Sequence, residues 1–279
     1  MSKRHVTGEN KMPQITKITS QKQKGRYNIF IDEQFAFGVT ESVLIKFRLA
    51  KGLEIDSSLQ RDIQKEDDNA KAYQLALNYL SHQLRTEKEL TQYLRDHEIT
   101  PEGIETSLTK LRELHYLDDQ DYADSYVRTV INTSDKGPKV VRQKLIQKGV
   151  SANHIDQALT LYTDEEQVTV GLATAQKLAK KYRHSSFFEQ QQKIKQGLMQ
   201  KGFGGDNLSR IIDELALEED SDSEADALAA LGEKKWRRYR LLEPRERRMK
   251  MQQALYRKGF NIDAINRFID DQEVSDDTE

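Results

Sequence analysis

The sequence predicts a mostly α protein, an elongated array of four tandem three-helix repeats behind a small β-rich N-terminal segment. The first observation behind this is a spacing pattern that recurs four times. Its copies read Leu94-RDHE-Ile99-TPEG-Ile104, Leu145-IQKG-Val150-SANH-Ile155, Leu198-MQKG-Phe203-GGDN-Leu208 and Leu255-YRKG-Phe260-NIDA-Ile265. A further apolar residue follows four positions later, at Leu108, Leu159, Ile212 and Ile269. Counted from Ile99, Val150, Phe203 and Phe260, the copies lie 51, 53 and 57 residues apart. A fixed period of this kind marks one structural unit stacked several times. The second observation is composition. With 36% apolar and 32% charged residues, the chain holds little apolar material for a sphere and enough for stacked units. The third is a change of period: alternating β-type residues before position 41 give way to helical spacing from about Asp68.

Taken in order, residues 1–11 read as a disordered leader and 12–55 as a small β-rich domain with a short helix. Ile15-TKIT, Arg26-YNIFID and Gln34-FAFGVT are strand-like, and Asp32-Glu33 is the turn of a hairpin. A short helix is expected at Glu41–Arg48, and residues 49–66 lead out of the domain, with Gly52 and Asp56 as turn points. Repeat one spans 67–118, with helices at Ala70–Gln83, Glu87–Arg95 and Pro101–Leu114. Repeat two spans 119–163, with helices at Asp121–Asn132, Pro138–Gln147 and Ala152–Tyr162. Repeat three spans 164–218, with helices at Glu165–Tyr182, Phe187–Gln200 and Asp206–Leu217. Repeat four spans 222–272, with helices at Glu224–Tyr239, Pro244–Arg257 and Ile262–Asp270. Residues 273–279 form an acidic tail.

Local signals support these boundaries. Thr86-EKE is a capping box. Pro101, Pro138 and Pro244 fall at helix starts, where the missing N–H costs nothing. Gly149, Gly202 and Gly259 close the second helix of their repeats in a left-handed conformation, and Lys148, Lys201 and Lys258 sit at the negative end of its dipole. In repeat one this step is His97-Glu98, so a looser or differently capped turn is expected there.

Composition excludes several classes of function. The chain has no cysteine, hence no disulfide, thiolate chemistry or Cys-ligated metal, which suits a cytoplasmic protein. Met1–Gln14 has no apolar core of a signal peptide, and no apolar run approaches the ~20 residues of a membrane span. No two of the six His, at 5, 82, 97, 115, 154 and 184, are three or four apart, so no helix face presents a His pair for metal. No phosphate-binding glycine motif occurs, and Gly202-FGG reads as a turn. Asp118, Asp119 and Asp121 fit the acidic first turn of a helix as well as they fit a metal site. No enzyme, cofactor or metal is expected.

What remains is binding. Net charge is only −2, yet Gly232–Lys258 holds 11 Lys/Arg against 3 Glu, while Asp213–Asp226 holds 8 acids and no base. Within the basic block, Lys234, Lys235, Trp236, Arg237, Arg238, Tyr239, Arg240, Arg245, Arg247 and Arg248 interleave cations with the only tryptophan. That mixture suits phosphates plus stacked bases, or an acidic protein surface. It also fits Trp236 and Tyr239 in a core beneath a solvated face. A second basic stretch, Lys136, Lys139, Arg142, Lys144 and Lys148, fits either a contact or the exposed face of an amphipathic helix. Arg128 is placed towards the buried side, paired with Asp124 one turn back.

A family resemblance enters with Leu117-DDQDYADSYVR-Thr129 and Gly137-PKVVRQKLIQKG-Val150, followed by Ile155 and Leu159. The acidic pair, the aromatic-Ala step, the Arg ending its helix, the Gly before the next and the Leu-x-x-Lys-Gly-apolar ending resemble the RecX family. Tyr79-LSHQLRTEKE-Leu90 is similar to a step in that family's first repeat. Val39-TESVLIKFRLAKGLEI-Asp56, with the strands before it, resembles the extension of longer members. The resemblance implies a non-enzymatic regulator that binds the RecA recombinase and its filament on single-stranded DNA. It implies inhibition of ATP hydrolysis, strand exchange and co-protease stimulation. The partner expected is the RecA filament, with single-stranded DNA as a possible second partner, no membrane, and a monomeric chain. Two alternatives stay open: a direct nucleic-acid-binding module, and a helical-repeat adaptor for another protein.

Overall fold

The computed structural model describes residues 12–276. The leader expected at 1–11 and the last three residues of the expected tail lie outside the described residues. Three antiparallel strands, β1 (Ile15–Ser20), β2 (Arg26–Ile31) and β3 (Gln34–Thr40), form one sheet in the order β1-β2-β3. Asp32 and Glu33 both have positive φ, 46° and 68°, the backbone that a tight two-residue hairpin turn demands. Ile15, Ile29, Phe37 and Val39 of the sheet share one buried cluster with Val43, Leu49, Ile55 and Ile63.

The helices are α1 (Glu41–Lys46), α2 (Ser57–Leu80), α3 (Glu87–Asp96), α4 (Pro101–Glu113), α5 (Asp119–Thr133), α6 (Pro138–Lys148), α7 (Ala152–Leu159), α8 (Asp164–Lys181), α9 (Phe187–Lys201), α10 (Gly205–Leu215), α11 (Ser221–Arg238), α12 (Pro244–Tyr256) and α13 (Ile262–Asp276). From α2 onward they group in threes, giving four three-helix repeats behind the sheet. Two differences from expectation have clear physical causes. Helix α2 starts at Ser57, not Ala70, because the Asp56 carboxylate accepts the Leu59 N–H at 2.7 Å and Ile63 is buried on its first turns. Residues 57–66 therefore belong to a helix and do not form a lead-out. Helix α13 runs on to Asp276, so residues 273–276, expected in an acidic tail, are helical.

The described residues form two compact bodies, one running through Tyr122 with Lys148–Val150 added, the other Ala123–Gln147 with Ser151 onward. In the first, the sheet is tied to α2 by Asp67, which is 1% exposed. Its carboxylate accepts the Thr40 N–H at 2.6 Å and pairs with Arg26 at 3.2 Å and Lys71 at 2.9 Å. A buried carboxylate is tolerable here because two cations and a backbone donor replace its water. Repeat one packs Leu90, Leu94, Ile104, Leu108, Leu111 and Leu117. In the second body, repeat three packs Val168, Ile194, Leu198, Phe203 and Ile211, and repeat four packs Leu228, Trp236, Met251, Leu255, Phe260 and Ile265. The leading Leu of the recurring spacing is thus a core position: Leu94, Leu145, Leu198 and Leu255 are all fully buried.

Candidate interaction surface

The Lys-Gly step does more than end a helix. Gly149, Gly202 and Gly259 have φ of +90°, +97° and +92°. That left-handed residue lets the chain fold back so that the next apolar residue enters the core. The helix carbonyls left over at this end then meet the N-terminus of the second helix of the preceding repeat. In the first body, the Thr86 hydroxyl, capping α3, donates to the Lys148 carbonyl at 2.7 Å. In the second, the Ser186 hydroxyl, capping α9, donates to the Lys258 carbonyl. Gly137, just before α6, has no hydroxyl, and its backbone N–H donates to the Lys201 carbonyl at 2.7 Å instead. Each joint sets the negative end of one helix against the positive end of another.

An ion pair closes every joint. Lys148 reaches Glu89 at 2.5 Å, Lys201 reaches Asp135 at 2.5 Å, and Lys258 reaches Glu189 at 2.7 Å. Burial pushes the Glu89 carboxyl up, but hydrogen bonds from Lys148 and the Thr86 backbone outweigh it and leave the group below its ordinary value. Glu189 behaves alike: burial raises it, and bonds from Lys258 and Lys193 bring it below normal. The Lys201 bond lowers Asp135. A second acid braces two joints from the side, since Asp119 accepts the Glu87 N–H at 2.9 Å and Glu224 accepts the Phe187 N–H at 2.7 Å. The equivalent donor in repeat two is missing because Pro138 stands there.

Asp118, Asp119 and Asp121 do build a helix start. Asp118 accepts the Gln120 and Asp121 N–H groups at 2.8 and 3.1 Å. Arg128 pairs with Asp124 one turn back at 3.9 Å as expected, but its side chain is 59% exposed, so it lies on the surface and not towards the buried side. His97-Glu98 keeps the fold-back without a glycine, Glu98 itself taking a φ of +59°. The turn is differently capped, as one of the two expectations had it: His97 Nδ1 lies 2.8 Å from the Tyr93 carbonyl and its ring packs on Tyr93.

The basic block divides into structural and exposed members. Trp236 is buried at 5% exposure, and its indole N–H donates to Asp276 at 3.2 Å. The Arg247 guanidinium lies 3.3 Å from the centre of that ring and pairs with Asp276 at 2.7 Å. Arg248 bridges Asp270 at 2.7 Å and Glu273 at 2.9 Å. These three were expected among the contact residues; they hold α13 against α11 and α12. Tyr239 is half-buried against the same core. Lys234, Arg237, Arg238, Arg240 and Arg245 are exposed, and Lys235 is half-buried. Arg237 meets Glu233 one turn back at 3.2 Å, a pair of the kind that contributes little. In the second basic stretch, Lys139 and Lys144 are exposed, Arg142 pairs with Asp156, and Lys148 is used in its joint.

A β-sheet domain followed by four three-helix units, with cations exposed on the last, defines a helical-repeat protein. Family models place it more narrowly. The RecX N-terminal domain matches residues 13–56, the first three-helix domain 72–111, the second 118–159, and the third both 164–212 and 222–269. The chain belongs to the RecX family. It is 53% identical to the regulatory protein RecX of Levilactobacillus brevis over 260 residues, 93% of this chain and 98% of the relative. It is 45% identical to that of Limosilactobacillus reuteri over 94% of this chain and 99% of the relative. A crystal structure of regulatory protein RecX matches with a TM-score of 0.65 and 46% identity, covering 72% of this chain and all of that one. The crystal structure of RecX from Lactobacillus salivarius matches with a TM-score of 0.53 and 49% identity, over 55% of this chain and 99% of that one.

Proposed function

We propose that the chain is a negative regulator that binds the RecA recombinase and its single-stranded-DNA filament in the cytoplasm. It inhibits ATP hydrolysis, strand exchange and co-protease activity by occupying the filament, with no catalysis of its own. The observation that carries this reading is the repeated joint in a chain of the RecX family. A surface made of like units carrying like joints suits a partner that also repeats, and weak contacts add as avidity. Lys234, Arg237, Arg238, Arg240 and Arg245 are the exposed cations of repeat four that would meet an acidic patch or phosphate, with Lys139 and Lys144 in repeat two.

Strand exchange by the cognate recombinase tests the reading. Stoichiometric chain is expected to stop it; unchanged strand exchange sinks the proposal. The exposed cations also favour a second reading, direct binding to single-stranded DNA. Its mark is salt: affinity for naked strands falls with a log–log slope of about −0.7 per phosphate contact. Strong, steeply salt-dependent binding without the recombinase supports the second reading.

A further inference from the structure

Helices α6, α9 and α12 share an outward strip that the fold does not require. Measured from their buried Leu145, Leu198 and Leu255, the position two residues earlier is Gln143, Gln196 and Gln253, and all three are exposed. The position one residue later is apolar and exposed in each: Ile146 at 56%, Met199 at 57% and Tyr256 at 65%. Three residues apart, each amide and its apolar neighbour lie side by side on one helix face. Single exposed apolar residues are ordinary. The same amide beside an apolar side chain, at one position of three units, is not. Repeat one carries Gln92 at this position but Arg95 in place of the apolar residue.

The joints set the three helices end to end. The Lys258 carbonyl end of α12 meets the Ser186 end of α9, and the Lys201 carbonyl end of α9 meets the Gly137 end of α6. The ionic residues of the three helices beside the strip are mostly basic: Lys139, Lys195 and Arg257 are exposed, and Arg142 is met by Asp156 of α7. Amide, Met, Tyr and Ile flanked by cations is interface chemistry that rejects a basic surface and accepts an acidic one.

We propose that Gln143 with Ile146, Gln196 with Met199 and Gln253 with Tyr256 form a periodic docking strip for an acidic face repeated on successive subunits of a protein polymer. This rests on the reading of the partner as a recombinase filament and names the surface that meets it. Each pair contacts one equivalent patch, so the contributions multiply.

The test is binding to preassembled recombinase filaments on single-stranded DNA by the full chain and by Ile146→Ser, Met199→Ser and Tyr256→Ser, singly and together. These side chains are exposed, so the variants are expected to melt like the parent. Each single change is expected to weaken binding about fivefold and the triple change about a hundredfold. If the parent binds and the triple variant binds equally well, the strip is not the interface and the inference falls, while the proposed function stands. If the parent does not bind filaments, the proposed function falls and takes the inference with it. A triple variant that loses naked oligonucleotide in the same proportion as filament overturns the protein partner in favour of the nucleic acid.

Discussion

The hydroxyl of Thr86 donates to the carbonyl of Lys148 at 2.7 Å, across 62 residues of sequence, and Ser186 makes the same bond to Lys258. One side chain thus caps its own helix and receives the end of another. Both residues are fully buried. Each joint is therefore held by a part-buried hydrogen bond, which is costly to leave unmade.

Thr86→Val and Ser186→Ala each remove a helix cap and strand a part-buried carbonyl. Each is expected to cost about 2 to 3 kcal/mol. Urea unfolding checks this as a lowered midpoint. An unchanged midpoint in either variant shows that its joint does not stabilise the array.

Gly137→Ala is expected to be worse than its size suggests. A Cβ there lies 2.6 Å from the Gly202 carbonyl carbon and 2.7 Å from the Phe203 nitrogen, both backbone. Backbone cannot rotate away, so the joint between repeats two and three must open, at about 2 kcal/mol or more. Gly52→Ala is the control: its φ is +91° with nothing within 4 Å, so it is expected to cost only the left-handed strain of about 1 kcal/mol.

Glu98→Gly is expected to stabilise. Glu98 holds a φ of +59° where the other repeats have glycine. Relief of that strain, less the added freedom of the unfolded chain, leaves a gain of up to about 1 kcal/mol, read as a rise in Tm.

Acid is expected to loosen the joints. The carboxyls of Glu89, Asp135 and Glu189 lie below their ordinary values in the folded chain. A depressed acid contributes stability that is fully present above its unfolded value, about 4.5 for Glu, and lost as pH falls through the folded one. Unfolding midpoints are therefore expected to fall below about pH 4.5, and Glu89→Gln with Glu189→Gln is expected to flatten that fall.

Much of the fold is legible in the sequence because its punctuation is chemical. The capping box at Thr86, the prolines at helix starts and the Lys-Gly steps each have a local cause that spacing exposes. The joints are not legible, since the Lys-Gly spacing shows where a helix ends and nothing about what receives the end. Thr86 reads as a cap alone, and only three dimensions give it Lys148. The start of α2 is missed because Ser57–Lys65 is polar, although Asp56 carries the capping signal. In the basic block, sequence interleaving of Trp236 with cations suggests a stacking platform. The indole is buried instead, because Arg247 covers it and Asp276, on a helix longer than its composition suggests, takes its N–H.

The most direct measurement is ATP hydrolysis by the cognate recombinase on single-stranded DNA, titrated with the chain and with Arg237, Arg238, Arg240 and Arg245 changed to Glu. All four cations are exposed and none closes a joint. The expected result is inhibition by the parent and its loss in the variant. Hydrolysis that continues unchanged at stoichiometric parent chain contradicts the proposed regulation of the filament.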